Sequence, residues 1–201
     1  MNTKDVLAFG KWSTKDVVVF DLGLKRYICT DAKLVPKTGA RYAGFRFHKS
    51  KTFIVERLIN KIMVPGHKSK KHFKSSGSCT GKSHTAYNIV EDTFDLIEKK
   101  TKRNPIEVFV TALQNAAPRE EVIAIEYGGA RYPKAVECSP QRRIDVVLRY
   151  FVQGSYQKSF NTKKSIVTAL SEEILNAYDQ KMESVAISKK MESERQADAS
   201  R

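Results

Sequence analysis

The stretch NPIEVFVTALQNAAPREEVIAIEYGGARYPKAVECSPQRRIDVVLRYF, residues 104–151, decides the fold. It opens on Asn104-Pro105 and repeats the same signal at Ser139-Pro140. A short polar residue before a proline marks a helix start. The polar side chain can cap a free N–H, and proline at the first helical position lacks a donor that would have no intrahelical partner there. After the first start, Ile106, Phe109, Val110, Leu113 and Ala116 recur at helical spacing until Pro118. After the second, Ile144, Val147, Leu148 and Phe151 do the same. Between them EEVIAIEY and ARYPKAVE flank Gly128-Gly129, whose tolerance of positive φ suits a two-residue hairpin turn. Pro133 confines the second strand to an edge. The stretch therefore predicts a helix, a β-hairpin over about 120–137 and a second helix.

Working outward, Gly154 is expected to end or kink the second helix. Thr162 can cap the next one, in which Ile166, Ala169, Leu170, Ile174 and Ala177 share a face, and the polar tail from Met182 suits a last, weakly anchored helix. Towards the N-terminus, Ala86, Ile89, Val90, Phe94 and Ile97 line one helix face while Glu91, Asp92, Asp95 and Glu98 fall elsewhere. Before that, Ile54 or Val55, with Leu58, Ile59 and Ile62, define a helix that Pro65-Gly66 stops. The polar, basic stretch from there to about Ser83 is too poor in apolar residues to pack and reads as an exposed loop. Residues 1–52 contain Trp12, the alternating run DVVVFDL (16–22) and Pro36, Gly39 and Gly44, which suit an arm with one short strand at most. The fold expected is mainly α, a bundle of about five or six helices with one inserted β-hairpin and an extended basic N-terminal arm. Its division is an arm over 1–52 and a helical domain over 53–201.

The charge narrows the function. The chain has 201 residues and a formal charge of +14. Eleven Lys or Arg lie between Arg41 and Lys82, against Glu56 alone. Such a region projects a strong positive potential and calls for a polyanion. Nucleic acid is favoured over a membrane, because Tyr42, Phe45, Phe47 and Phe53 interleave with the cations without forming an amphipathic stripe. No apolar run approaches the length needed to span a bilayer, and MNTKDVLAFGKW lacks the zones of a secretory signal, so a soluble, cytosolic protein is expected. Cys29, Cys79 and Cys138, with no CxxC pair, read as reduced thiols.

Two motifs near the basic run suggest other chemistry. KSSGSCTGKS (74–83) comes close to a phosphate-cradling loop, but Ser76 stands where the first glycine belongs and Gly77 is one residue late. That glycine makes the turn aiming N–H groups at phosphates, and a buried strand must hold the loop. HKSKKHFK cannot supply that strand. His67, His72, Cys79 and His84 have zinc-ligand chemistry, but their spacings are looser than the paired-cysteine patterns that identify zinc sites, and free polar loop residues are the simpler reading. No residue pairing suggests a nucleophile and base, so neither catalysis nor a cofactor is expected.

Read in order, FGKWS (9–13), ARY with following basic residues (40–49), IVERL (54–58), Asn104-Pro105, APRE (117–120), SPQRR (139–143) and AISKKMESER (186–195) resemble the small-subunit ribosomal protein seven family, in its archaeal and cytosolic eukaryotic branch. The resemblance covers nearly the whole chain. It implies a mostly helical protein that binds the 3′ major domain of small-subunit rRNA and helps nucleate the head. It also implies neighbouring proteins of the head and platform, and transient contact with mRNA and exit-site tRNA through the hairpin. Carried onto matching positions, the rRNA contacts fall on Arg41, Arg46, Lys49, Lys51, Lys82, Arg119, Arg142 and Arg143. Arg142 and Arg143 stand in the first turn of a helix, where positive charge opposes the local dipole and an anionic partner or plain solvation must compensate. The chain departs from the family twice. The loop over about 64–82 is longer than the family's usual turn, and the hairpin, usually rich in arginine, has only Arg131 and Lys134 near its tip. A basic RNA-binding module outside the ribosome and a nucleotide-dependent factor using residues 76–83 are the competing readings.

Overall fold

The computed structural model describes residues 6–65, 67–68, 71–72 and 76–201, with side chains over 6–65 and 78–201. The main helices are α2 (Ile54–Ile62), α4 (Ser83–Thr101), α5 (Pro105–Ala116), α6 (Pro140–Ser159), α7 (Ile166–Tyr178) and α8 (Val185–Ala199). One-turn helices α1 (Leu22–Lys25) and α3 (Ser76–Cys79) precede α2 and α4, and a 3-10 turn covers His48–Lys51. Strands β1 (His67–Lys68) and β2 (Lys71–His72) form a minimal ladder inside the long loop. Strands β3 (Glu120–Tyr127) and β4 (Ala130–Glu137) form the antiparallel hairpin, in register from Glu120 opposite Glu137 to Tyr127 opposite Ala130.

Helix α5 is the hub, and its composition says why. Ile106, Val108, Phe109, Val110, Ala112, Leu113 and Ala116 are buried over most of its circumference, leaving only a narrow polar strip of Glu107, Thr111, Gln114 and Asn115, and so wide an apolar face must be enclosed by several neighbours. Its start is as expected: Asn104 accepts from the Ile106 N–H at 3.0 Å, with Pro105 in the first turn. The Asn104 amide also donates to the Ser13 carbonyl at 2.6 Å, so the same residue that starts α5 seats the N-terminal segment. Helix α7 packs across α4, α5 and α6, and α2 fits between α4 and α6. An aromatic chain threads these layers, from Phe9 and Trp12 to Phe94, Phe109 and Phe151, with centroids 5.7–6.4 Å apart.

Several local expectations fail for identifiable reasons. Residues 16–22 form no strand; after Val17 the chain turns at Asp21, whose carboxylate caps α1 by accepting from Gly23 N–H at 2.8 Å. Helix α6 runs straight through Gly154 to Ser159. The glycine is there for proximity, since a Cβ would lie 3.0 Å from Val185 Cβ and 3.2 Å from the Glu173 carboxyl carbon. Ser165, not Thr162, caps α7, accepting from Thr168 N–H at 3.2 Å. The Thr162 hydroxyl instead donates back to the carbonyls of Lys158 and Ser159, closing the end of α6. Helix α8 is thin in apolar contacts, with Ala186, Ile187 and Ala197 buried. Polar ties hold it: Lys190 Nζ donates to the Asn115 carbonyl at 2.8 Å, and Arg201 forks onto both oxygens of Glu120 at 2.6 Å.

Residues 6–52 are less regular than the helical region after them but contribute to the same core. Trp12, Leu24 and Ile28 are buried within it. The N–H groups of Phe20 and Asp21 both donate to the Gln114 side-chain oxygen, at 2.7 and 2.9 Å, tying this segment to α5. Residues beyond about 33 lie on the outside, and the exposed Arg41, Phe45, Arg46 and Phe47 are in this outer part.

Candidate nucleic-acid interface

Within the run from Arg41 to Lys82, the single acid is removed from the surface. Glu56 is 1% exposed, and one of its carboxylate oxygens accepts from the Thr38 N–H at 2.8 Å. The acid therefore secures the outer arm to α2 and is itself out of reach of a ligand. Arg57, next to it, is also buried; it donates to Asp145 at 3.0 Å and to the Tyr27 carbonyl at 3.2 Å. Lys49 reaches the other oxygen of Asp145. Burial pushes the Asp145 carboxyl up, but the hydrogen bond from Lys49 and the charge of Arg57 outweigh it and hold the group below the usual aspartate range.

The predicted contact residues fall in separate places. Arg41, Arg46 and Lys51 are exposed on the arm, and no acidic side chain is recorded against any of them among the described residues. Arg46 lies over the Phe47 ring, 5.6 Å from its centroid. Lys82 stands exposed at the N-cap of α4, after Gly81 at φ +80°. Among the described residues no parallel strand stands ahead of it, as a nucleotide-hydrolase loop would require. Arg119 and Arg143 share a surface depression with Phe20 and Asp21 at the start of the hairpin. Of the four metal candidates, Cys79 and the exposed His84 are described, while the side chains of His67 and His72 lie outside the described residues.

SPQRR turns out to be a junction. Gln141 accepts from the Ser50 hydroxyl of the arm at 2.5 Å. Arg142 forks onto Glu121 of β3, at 2.5 and 2.6 Å. Arg143, with its side chain 12% exposed, donates to Asp21 at 2.8 Å and to the Pro118 carbonyl at 3.0 Å. The anions that compensate these first-turn arginines thus come from the chain itself, one from the hairpin and one from the arm. Sequence reading could not pair residues separated by 21 and 122 positions.

Sequence reasoning also missed Lys61. It lies on α2 beside a hollow of about 420 Å³ between the outer arm and helices α2 and α6. Burial holds its ammonium below the usual lysine value, and no acid is recorded in contact with it among the described residues. A half-buried lysine in a helix of otherwise apolar period reads as a solvated edge, so only its tertiary surroundings single it out.

The hairpin base is half-buried and its outer half exposed. The register puts Ile123, Ile125 and Tyr127 on one face with Tyr132 and Lys134, while Glu126 pairs with Arg131 on the other at 3.7 Å. Two thiols, Cys29 and Cys138, are held away from reactive thiolate. Burial raises Cys29, and burial with the Glu121 charge pushes Cys138 up to about 11.

The geometry is that of a helical scaffold with a cationic arm, and the comparisons agree. The family model described as "Ribosomal protein S7p/S5e" matches residues 24–201. The chain is similar to the small ribosomal subunit protein uS7 of Nanoarchaeum equitans, 50% identical over 96% of this chain and 98% of that one. It is also similar to the proteins of the same name from Archaeoglobus fulgidus, 45% identical over 98% and 96%, and Methanosphaera stadtmanae, 45% identical over 94% and 95%. A buried core shared by arm and helices, the hairpin between α5 and α6, and identity at this level along nearly the full length lead to one conclusion: the chain belongs to the ribosomal protein S7p/S5e family, as a structural constituent of the small ribosomal subunit in the cytoplasm and not as an enzyme.

Proposed function

We propose that the protein binds the 3′ major domain of small-subunit rRNA and nucleates assembly of the head, with its hairpin near the exit-site tRNA and the mRNA exit path. The observation that carries this reading is the cationic arm: Arg41, Arg46 and Lys51 are exposed, and Glu56, the acid of that run, is buried beneath them. Arg41, Arg46, Lys49 and Lys51 supply phosphate contacts along the arm, Lys82 at the start of α4, and Arg119 and Arg142 beside the hairpin base. Arg143 acts mainly by seating the arm through Asp21, which keeps the neighbouring cations in register. Arg131 and Lys134 are the cations available to mRNA or tRNA on the hairpin, and neighbouring proteins of the head and platform complete the surroundings.

Binding of the full chain to the isolated 3′ major domain, against an equal-length unrelated folded RNA at about 0.15 M salt, tests the proposal. A preference of about a hundredfold or more supports it. Equal affinity for both RNAs rejects it. Replacing Arg41, Arg46 and Lys51 together by Ala is expected to reduce the salt slope by about three, one for each phosphate no longer neutralised, without changing helix content.

A further inference from the structure

The hollow beside Lys61 has the features of a built site. Four cations, Arg46, Lys49, Arg57 and Lys61, line it against the single carboxylate of Asp145. That carboxylate is already matched by Lys49 and Arg57, so Lys61 and Arg46 are left as surplus positive charge. Lys61 is half-buried, and the carboxylate that attracts it, Asp145, is already held by Lys49 and Arg57. The outer wall is aromatic: Tyr42 and Phe45 line the hollow, and both rings rest on His48, Phe45 stacked at 4.4 Å and Tyr42 edge-on at 6.1 Å. Phe45 is nonetheless 64% exposed. The floor includes Leu148 of α6. A volume near 420 Å³ lies within the range of about 300–1,000 Å³ typical of small organic ligands and exceeds what a phosphate alone occupies.

Continuous duplex cannot enter such a hollow, because its bases are stacked inside and only its backbone is presented. A nucleotide splayed out of a loop, bulge or junction can, offering a flat base to the aromatic wall and a phosphate to the cations. We propose that this hollow receives one unstacked nucleotide of the RNA, its base against Tyr42 and Phe45 and its phosphate between Lys61 and Arg46. The proposal rests on the rRNA-binding reading above. The arm then does more than neutralise charge, since it selects a point in the RNA where a base is free to leave the stack.

The test uses the full chain and the 3′ major domain RNA. Ultraviolet crosslinking followed by mass spectrometry should join Tyr42 or Phe45 to a nucleotide in an unpaired position. Tyr42→Leu should weaken binding about tenfold with the salt slope unchanged, because stacking releases no counterions. Lys61→Met should weaken binding and reduce the slope by about one, while leaving the protein as stable as before or more so, because a desolvated ammonium is removed. Lys61→Arg should restore both affinity and slope. A purely structural Lys61 would instead lose stability and RNA affinity together. If the wild type keeps its preference while both variants bind like it, or if the crosslinks fall within continuous duplex, the pocket is refuted and the rRNA-binding reading stands. If the wild type shows no preference, both fall.

Discussion

Individual residues here often serve two elements at once, which is why their identities matter beyond composition. Asp145 holds Lys49 of the arm and Arg57 of α2 from a position on α6. Its folded pKa is depressed, so its contribution is present above the unfolded value of about 4 and is lost as pH falls through the lower folded value. Asp21, desolvated but held down by Arg143, behaves the same way. Denaturant titrations from pH 7 to pH 2 should show Asp145→Asn costing about 2 kcal/mol at neutral pH and almost nothing at the acid end. A constant penalty across that range would show that the carboxylate charge is not what holds the arm. Gly154 is a second case. Alanine would ordinarily strengthen a helix interior by about 0.5–1 kcal/mol, but here its Cβ would press on Val185 and Glu173. Gly154→Ala is expected to lose about 1 kcal/mol net, and part of that should return when Val185 is also changed to Gly, which removes both the Cβ and the Cγ2 that the new methyl would press on. Chemical denaturation of the single and double variants decides it.

At the scale of the element, the hairpin and the helices follow different rules. Gly128 and Gly129 sit at φ +58° and +82°, where a residue with a Cβ is strained by about 1–2 kcal/mol. Gly129→Val should therefore lower hydrogen-exchange protection along β3 and β4 while leaving α4, α5 and α7 unchanged, because the outer half of the hairpin is exposed. Loss of protection throughout would mean that hairpin and bundle unfold as one. The hairpin was readable in the sequence because Gly-Gly between alternating strands is a local signal, and α5 because Asn-Pro and a helical apolar period are local as well. The start of α7 was misplaced for a related reason. Thr162 and Ser165 are both competent caps, and only the route of the chain out of α6 selects the serine. The alternating run 16–22 does not reach even the one short strand allowed for it, because alternation states a preference for extended backbone, whereas a strand also needs a partner edge, and the arm finds hydrogen bonds on Gln114 instead.

At the scale of the whole molecule, the N-terminal segment is a structural member first and a cationic arm second. Trp12 is 5% exposed, donates to Glu98 at 3.1 Å and meets Phe94 of α4. Trp12→Ala should lower global stability by about 3–5 kcal/mol, in a transition that near-ultraviolet and far-ultraviolet circular dichroism report together. Separate transitions would mark the arm as an independent unit. The sequence by itself determined the helical class, the place of the hairpin, the local excess of positive charge and the kinship with ribosomal proteins, because periodicity, caps, turn glycines and charge are properties of short stretches. The tertiary structure alone decided which cations stay exposed. Arg57 is buried and Arg143 largely covered against acids from distant segments, Glu56 is hidden, and Lys61 is half-buried near an Asp145 that Lys49 and Arg57 already hold. Electrostatics acts through space, so the value of each charge depended on neighbours that the order of residues does not name.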